Sequence, residues 1–258
     1  MPTKEITQPV KKIIVFDLDE TLGYFSEFGI FYDSIERFIG GKGLNRAQSF
    51  KLIELFEAEI LRPKIILILR SIMKMKKNNI IDSIMIYTNN QGGEDWTYLI
   101  KDYFEHRIGM GKIFDKIICA YKINGRKEKL CEKCRTSHAK NYKDLVINCS
   151  KLQPNTKVCF IDDQDHKQMK SNKNVYYVEI PPYIHSLKPQ TFIDRFLKHR
   201  MSSQIRKLKK ETEFTNSVLN YFGRVDFYNY ENKTSESKKK DKEISKELIT
   251  IIENFEDF

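Results

Sequence analysis

Two aspartates that directly follow an apolar run are the residues of this 258-residue chain best placed to do chemistry. Asp17 and Asp19 come after I-I-V-F, a run that predicts a strand buried on both faces of a parallel sheet. The carboxyl ends of such strands form the usual binding edge of an α/β sheet. Only one residue separates the two carboxylates, so they can approach a common point, where they need a cation or a shared proton. The spacing suits a carboxylate nucleophile, Asp17, beside an acid and base, Asp19.

Two later apolar runs also end in polar residues. I-M-I-Y predicts a strand that ends in the hydroxyl residue Thr88. V-C-F-I predicts a strand that ends in the paired acids Asp162 and Asp163. Strand and helix patterns alternate along the chain, which predicts a parallel sheet that brings these ends together.

The strings D-L-D-E-T-L, I-M-I-Y-T and V-C-F-I-D-D, in that order, resemble the motifs of the haloacid dehalogenase-like phosphatases. The first string is most similar to the branch that contains the RNA polymerase II C-terminal-domain phosphatases. The resemblance implies a three-layer Rossmannoid α/β fold with a five-stranded parallel sheet of order 5-4-1-2-3 and a small cap or none. It implies Mg2+-dependent hydrolysis of a phosphomonoester through an aspartyl-phosphate on Asp17. It places Asp17, Asp19, Asp162 and Asp163 at the metal, Thr88 at the phosphate, and Thr21 and Asn89 among the substrate-binding groups.

The family also carries a lysine that offsets the charge of the nucleophile and the phosphate, and two residues could supply it. Lys140 stands four residues before Asp144, a spacing that many family members share. Lys143 matches the K-D-L spelling of the polymerase-tail phosphatases. We favour Lys140 and keep Lys143 as the alternative.

Two departures from the polymerase-tail pattern bear on the substrate. Asp162-Asp163 stands where that branch usually has Asp-Asn, and T-N-N-Q after the second strand resembles polynucleotide 3′-phosphatases and sugar or histidinol phosphatases. The segment between Asp19 and the second strand is too short for a large lid domain, so we expect an open site rimmed by loops at residues 24–32 and 119–138. An open site favours a phosphorylated macromolecule, protein over nucleic acid. A polynucleotide 3′-phosphate or a small sugar phosphate is the alternative, and a non-catalytic phosphopeptide- or nucleic-acid-binding module is the second.

Residues 119–138 contain three cysteines and a histidine at spacings that zinc could use. Cys131 and Cys134 form a C-x2-C pair, with His138 nearby and Cys119 as a fourth candidate ligand for structural Zn2+. Inert reduced cysteines are the other interpretation. Five cysteines, an odd number, in a chain without an export signal favour reduced thiols over a disulfide framework.

Composition predicts an intracellular protein, cytoplasmic or nuclear, with no membrane partner. The apolar content of 40% supports one catalytic domain over residues 1–200. Residues 201–258 are rich in lysine and predict a tail that is partly disordered or docked through its aromatic residues. The net charge of +10 suits an anionic substrate but also a solubilising surface.

Overall fold

The apolar segment Lys12–Phe16 forms strand β1 at the centre of an open, all-parallel sheet. The computed structural model describes residues 9–40, 43–92, 94–122, 133–225 and 230–258. The other strands are β2 (Ser83–Tyr87), β3 (Lys116–Ile118), β4 (Lys157–Asp162) and β5 (Val175–Glu179). The five strands lie in the order β3-β2-β1-β4-β5, which confirms the strand order expected from the sequence.

Helices connect the strands and cover both faces of the sheet. Their bounds are α1 (Ser26–Phe38), α2 (Arg46–Ile60), α3 (Ile65–Lys77), α4 (Glu94–Ile108), a π-helix (Lys143–Cys149), α5 (Lys167–Lys170), α6 (Pro189–Lys198), a 3₁₀ turn (Arg200–Ser202), α7 (Ser203–Lys207), α8 (Glu211–Phe222), α9 (Ser235–Asn254) and a second 3₁₀ turn (Phe255–Asp257).

The alternation of side chains along β1 separates two apolar cores. Ile14 and Phe16 lie in the larger core, which also holds the apolar faces of α1 to α4, α6, α8 and α9. Ile13 and Val15 lie in the smaller core, with the π-helix and α5. Because β1 is buried on both faces, its I-I-V-F sequence is apolar throughout rather than alternating.

Helix boundaries follow local signals where those signals are present. Asn45 caps α2 and exchanges hydrogen bonds with Gln48, a capping box that fixes the start of this helix. The expectation of a loop at residues 24–32 is wrong from Ser26 onwards, because α1 begins at that residue and continues to Phe38. Phe28 and Phe31 are buried on the inner face of α1. No side chain caps the N-terminus of this helix, so the sequence carries no capping signal for its start.

The chain after residue 200 packs against the same core as the rest of the molecule. Phe214 of α8 and Leu248 of α9 are almost fully buried there, as is Phe255 at the end of α9. The lysine-rich stretch forms part of α9. Within the described ranges, no helix combines the length and the apolar character that crossing a bilayer requires.

Candidate active site

The loop after β1 brings Asp17 and Asp19 into a tight turn. The backbone N–H of Asp17 donates to Ile161 O at 2.9 Å, which extends the pairing of β1 with β4 by one residue. The turn closes with Glu20 N donating to Gly23 O at 2.7 Å. A Cβ on Gly23 would lie 2.4 Å from Ile60 O, so glycine is required where the turn meets the end of α2.

Three carboxylates meet at the carboxyl ends of β1 and β4. One oxygen from each of Asp17, Asp162 and Asp163 lies within 4.8 Å of the other two. Asp17 and Asp162 are buried, and Asp163 is partly exposed. Anionic oxygen ligands at this separation are the donor set that Mg2+ prefers, so the residues present fit that ion. Asp19, expected as a fourth ligand, lies outside the three-carboxylate cluster.

Lys140 is the lysine that enters the site. Its side chain is 2% exposed, and its ammonium donates to Asp17 Oδ1 and, at 2.7 Å, to Asp162 Oδ2. Burial by itself lowers the pKa of Lys140, but the charges of Asp17 and Asp162 outweigh it and hold the pKa above its ordinary value. Lys143 begins the π-helix and its side chain is exposed. Geometry therefore separates two lysines that the sequence left as alternatives.

Asp19 and Asp163 hold protons more tightly than ordinary carboxylic acids do. Burial, followed by the charge of Asp17, raises the pKa of Asp19 to about 7. Burial, with the charges of Asp17 and Asp162, raises the pKa of Asp163 to about 6. An acid with the pKa of Asp19 can both give and take a proton near neutral pH.

The pKa values of the two remaining acids, Asp17 and Asp162, depend on their basic neighbours. Burial raises the pKa of Asp17, and the ammonium of Lys140 opposes that shift, which favours the ionised form. Despite burial, contacts with His166 and Lys140 lower the pKa of Asp162. His166 Nε2 lies 3.3 Å from Asp162 Oδ2. Nothing in the sequence distinguished His166, because it reaches the site from the turn before α5.

The residues after β2 contact the site in a way that the sequence predicted only in part. Thr88 is buried, and its hydroxyl accepts a hydrogen bond from Asn90 N at 2.9 Å. Asn90 Nδ2 donates to Asp19 Oδ2 at 2.6 Å, so the amide that orients the acid is Asn90. Asn89, the predicted substrate-binding residue, instead accepts from the Arg135 guanidinium at 2.9 Å.

Arg135 joins the ends of β2 and β3 to the segment that carries Lys140. Its guanidinium donates to Thr88 O at 3.1 Å, Cys119 O at 2.9 Å and His138 O at 2.7 Å, and it lies 4.6 Å from the ring centroid of Tyr87. Arg135 is 3% exposed and was missed at the sequence level, where it is one of many basic residues in the same segment. It is a positioning residue for the loop at residues 133–140.

Arg62 has the corresponding role for the D-L-D-E-T turn. It donates to Thr21 O and Glu20 O at 2.6 Å each and to Pro181 O at 2.8 Å. Thr21 in turn donates its hydroxyl to Asp163 Oδ1 at 3.1 Å, so this predicted substrate-binding residue contacts the acid cluster. Arg62 was not among the site residues predicted from the sequence.

The predicted cysteine sites require a correction. Cys134 forms a disulfide with Cys149 at the end of the π-helix, so its sulfur is not a zinc ligand in this structure and the expectation of reduced thiols is wrong for this pair. Cys131 lies outside the described residues. Cys119 is buried and His138 is exposed, and no zinc-type cluster forms among the residues that the structure describes. The disulfide was missed because the sequence reasoning paired the neighbours in the C-x2-C string and overlooked Cys149, 15 residues beyond Cys134.

A cavity of about 670 Å3 opens beside Asp19 and Asn90. It lies between α1, α2 and α4, and its walls include the rings of Tyr32 and Trp96. The sequence predicted a loop at residues 24–32 as part of the rim, and most of the residues of that segment that line the cavity belong to α1.

Comparisons with protein-family models, with curated proteins and with solved structures found no match for this chain.

Proposed function

We propose that this chain is a Mg2+-dependent phosphomonoester hydrolase of the haloacid dehalogenase-like type. The observation that carries the proposal is the convergence of Asp17, Asp19, Lys140 and the Asp162-Asp163 pair at the carboxyl edge of the sheet. The resemblance of the motifs to that family supports the same assignment, and its polymerase-tail branch is the closest in spelling.

The first half of the reaction is displacement by Asp17. Its carboxylate oxygen forms a bond to phosphorus while the ester bond between phosphorus and the leaving oxygen breaks. Asp19 transfers its proton to that leaving oxygen, so an alcohol departs. Lys140 offsets the negative charge of the nucleophile and the phosphate, and Thr88 with the adjacent backbone N–H groups accommodates the phosphate oxygens.

The second half is hydrolysis of the aspartyl-phosphate. Asp19, now a carboxylate, removes a proton from water as the water oxygen bonds to phosphorus and the bond to Asp17 breaks. Inorganic phosphate leaves, and both acids regain their starting protonation states. Mg2+ held by Asp17, Asp162 and Asp163 would supply charge neutralisation for the phosphate oxygens.

A phosphoprotein is the proposed substrate, and the alternatives remain a polynucleotide 3′-phosphate and a small sugar phosphate. A module that binds a phosphopeptide or nucleic acid without chemistry is the competing class. Turnover of phosphoserine peptides, 3′-phosphorylated oligonucleotides and sugar phosphates would rank the substrates.

The decisive assay is hydrolysis of a generic aryl phosphate. We expect Mg2+-dependent turnover that Asp17→Asn abolishes, whereas Asp165→Asn, which alters an exposed acid outside the cluster, retains turnover. Mg2+ should also raise the melting temperature of the wild-type protein and fail to raise that of Asp162→Asn. Full turnover in Asp17→Asn, or turnover that survives complete chelation, would exclude this mechanism.

A further inference from the structure

The cavity beside Asp19 lies on one defined side of the acid cluster. Asp19 and Asn90 line it, whereas Asp17, Lys140 and the Asp162-Asp163 pair do not. In a displacement by Asp17 the leaving oxygen departs away from the nucleophile and receives the proton of Asp19. The cavity therefore lies where the leaving group of the substrate must sit, an argument that rests on the proposed function.

Three aromatic side chains, those of Phe25, Tyr32 and Trp96, line the cavity. The ring centroids of Trp96 and Tyr32 are 5.5 Å apart, and the Tyr32 hydroxyl pairs with Ser49 Oγ at 2.9 Å inside the protein. Trp96 lies across α1 at Gly29, where an added Cβ would be 3.5 Å from the indole. Aromatic faces at such an opening attract cations as well as apolar groups.

The charge of the cavity is opposite to that of the whole chain. Among the described residues that line it, the acids are Asp19, Asp33, Glu36 and Asp95, and the base is Arg46. Arg46 already pairs with Asp102, Nη2 to Oδ2, at 3.0 Å.

Two of these acids lie close together on α1. Partial burial, and then the charge of Glu36, raises the pKa of Asp33, and the charge of Arg37 and a hydrogen bond from Tyr221 oppose that shift without cancelling it. A polyanionic leaving group would be repelled here, and a cationic one would be attracted.

We infer that this cavity selects phosphomonoesters whose leaving group carries a positive charge on a short apolar linker. Such a group would place its cation between the aromatic rings and the carboxylates of Asp33 and Glu36, while its oxygen remains beside Asp19. The volume of about 670 Å3 falls within the range of small-molecule sites. The same chemistry is available from a free aminoalkyl phosphate or from a basic side chain next to a phosphorylated serine.

Phosphocholine and 3,3-dimethylbutyl phosphate form the test pair, because they share a shape and differ in one positive charge. We expect kcat/KM to favour phosphocholine about tenfold or more, the range of a desolvated cation on aromatic faces. In the double variant Asp33→Asn, Glu36→Gln this ratio should fall towards one. In Glu243→Gln, which removes an exposed acid of α9, it should remain unchanged.

A variant that fills the cavity gives an independent measurement. Gly29→Leu projects into the cavity from α1 and should lower kcat/KM for both bulky substrates while the folded state is retained by circular dichroism. A matched peptide pair, with arginine or glutamine after phosphoserine, identifies the source of the cation. A higher kcat/KM for the cationic member in the peptide pair alone indicates a basic protein segment. A higher kcat/KM for the cationic member in the pair of free esters alone indicates a small amine.

The outcomes separate this inference from the proposed function. Acetyl phosphate has too small a leaving group to depend on the cavity, and its hydrolysis by the wild-type protein tests the phosphatase proposal alone. If acetyl phosphate is hydrolysed and kcat/KM is equal for the cationic and the neutral member of each test pair, the selection of cations is overturned and the proposed phosphatase function is retained. No hydrolysis of any phosphomonoester would overturn both.

Discussion

Lys140 and Asp162 form a buried ion pair in which Nζ lies 2.7 Å from Oδ2, although the residues come from a loop and a strand end separated by the π-helix. The same ammonium contacts Asp17. A single cation therefore links Asp17, the proposed nucleophile, to Asp162, one of the acids that would hold the metal. This relationship explains why Lys140 rather than Lys143 is assigned the charge-offsetting role in the proposed mechanism.

Replacement of Lys140 by methionine should reduce kcat for an aryl phosphate by about 100-fold or more, since a preorganised charge at the phosphate is lost. The side chains of Asp17 and Asp162 would also remain without their ammonium. Lys143→Met is the matched control and should retain kcat, because that side chain is exposed. Steady-state kinetics of both variants test this assignment. A larger loss of kcat in Lys143→Met than in Lys140→Met would transfer the role to Lys143.

Asp19→Asn should affect substrates according to the basicity of their leaving group. An alkyl phosphate needs the proton that Asp19 gives, and its turnover should fall about 100- to 10,000-fold. Nitrophenolate leaves without that proton, but water still needs a base in the second step. Rapid mixing with nitrophenyl phosphate should therefore show a burst of nitrophenolate followed by slow release. Equal losses for both substrates without a burst would exclude Asp19 as the acid and base.

Asp144 should make stability dependent on acid pH through the loop that carries Lys140. It accepts hydrogen bonds from Thr136 N and Asn141 Nδ2 at 2.9 Å each and from Asn148 Nδ2 at 2.7 Å. Burial raises its pKa, but these hydrogen bonds outweigh burial and hold the pKa below its ordinary value. A depressed pKa in the folded state means that the stabilisation is present at neutral pH and is lost as pH falls through the unfolded and then the folded value.

The variant Asp144→Asn measures that contribution. At pH 7 we expect its free energy of unfolding to be about 1–3 kcal/mol below that of the wild-type protein. The difference should narrow in urea titrations as the pH falls below about 4. Asp194→Asn, an exposed acid on α6, should show little change. A difference in the free energy of unfolding between the two proteins that stays constant with pH would contradict a stabilising role for the charge of Asp144.

The disulfide between Cys134 and Cys149 should stabilise the protein by about 3 kcal/mol under oxidising conditions, the value for a closed loop of this length. The double variant Cys134→Ser, Cys149→Ser is expected to unfold at correspondingly lower urea. A thiol reductant should lower the urea midpoint of the wild-type protein to nearly that of the variant, and it should leave the midpoint of the variant unchanged. A urea midpoint of the wild-type protein that does not change with reductant would show that the disulfide contributes nothing to stability.

Phe255 should be required for the attachment of α9. It is fully buried, and its ring stacks on Tyr176 of β5 with a centroid separation of 6.3 Å. We expect Phe255→Ala to lower the free energy of unfolding by about 3–5 kcal/mol. Phe258→Ala is the matched control, because Phe258 touches the same tyrosine but remains 37% exposed, and its cost should be much smaller.

The sequence specified those parts of the fold whose signals are local. The apolar runs before Asp17, Thr88 and Asp162 predicted β1, β2 and β4. The helix α1 was missed beyond Ser26 because it has no capping side chain and contains Gly29. A prediction from apolar spacing alone would have found it.

The site was predictable only up to the contacts between distant segments. The acids at the ends of β1 and β4 could be placed together because parallel strands share an edge. Arg135 and the partner of Cys134 could not, since their contacts depend on how residues 133–140 fold over β2 and β3. The choice between Lys140 and Lys143 depended on three residues of spacing, which decide whether a side chain enters the site or faces solvent.

The central position of β1 also determines when the acid cluster can assemble. Phe16 pairs with Ile86 on one side and with Ile161 on the other, and Lys140 is 123 residues from its partner Asp17. Contacts between such distant segments slow folding, because the intervening chain must be ordered before they form. During synthesis on the ribosome, the segment that carries Asp17 and Asp19 emerges before β4. The acid cluster is therefore complete only after β4 has paired with β1 and Lys140 has reached Asp17.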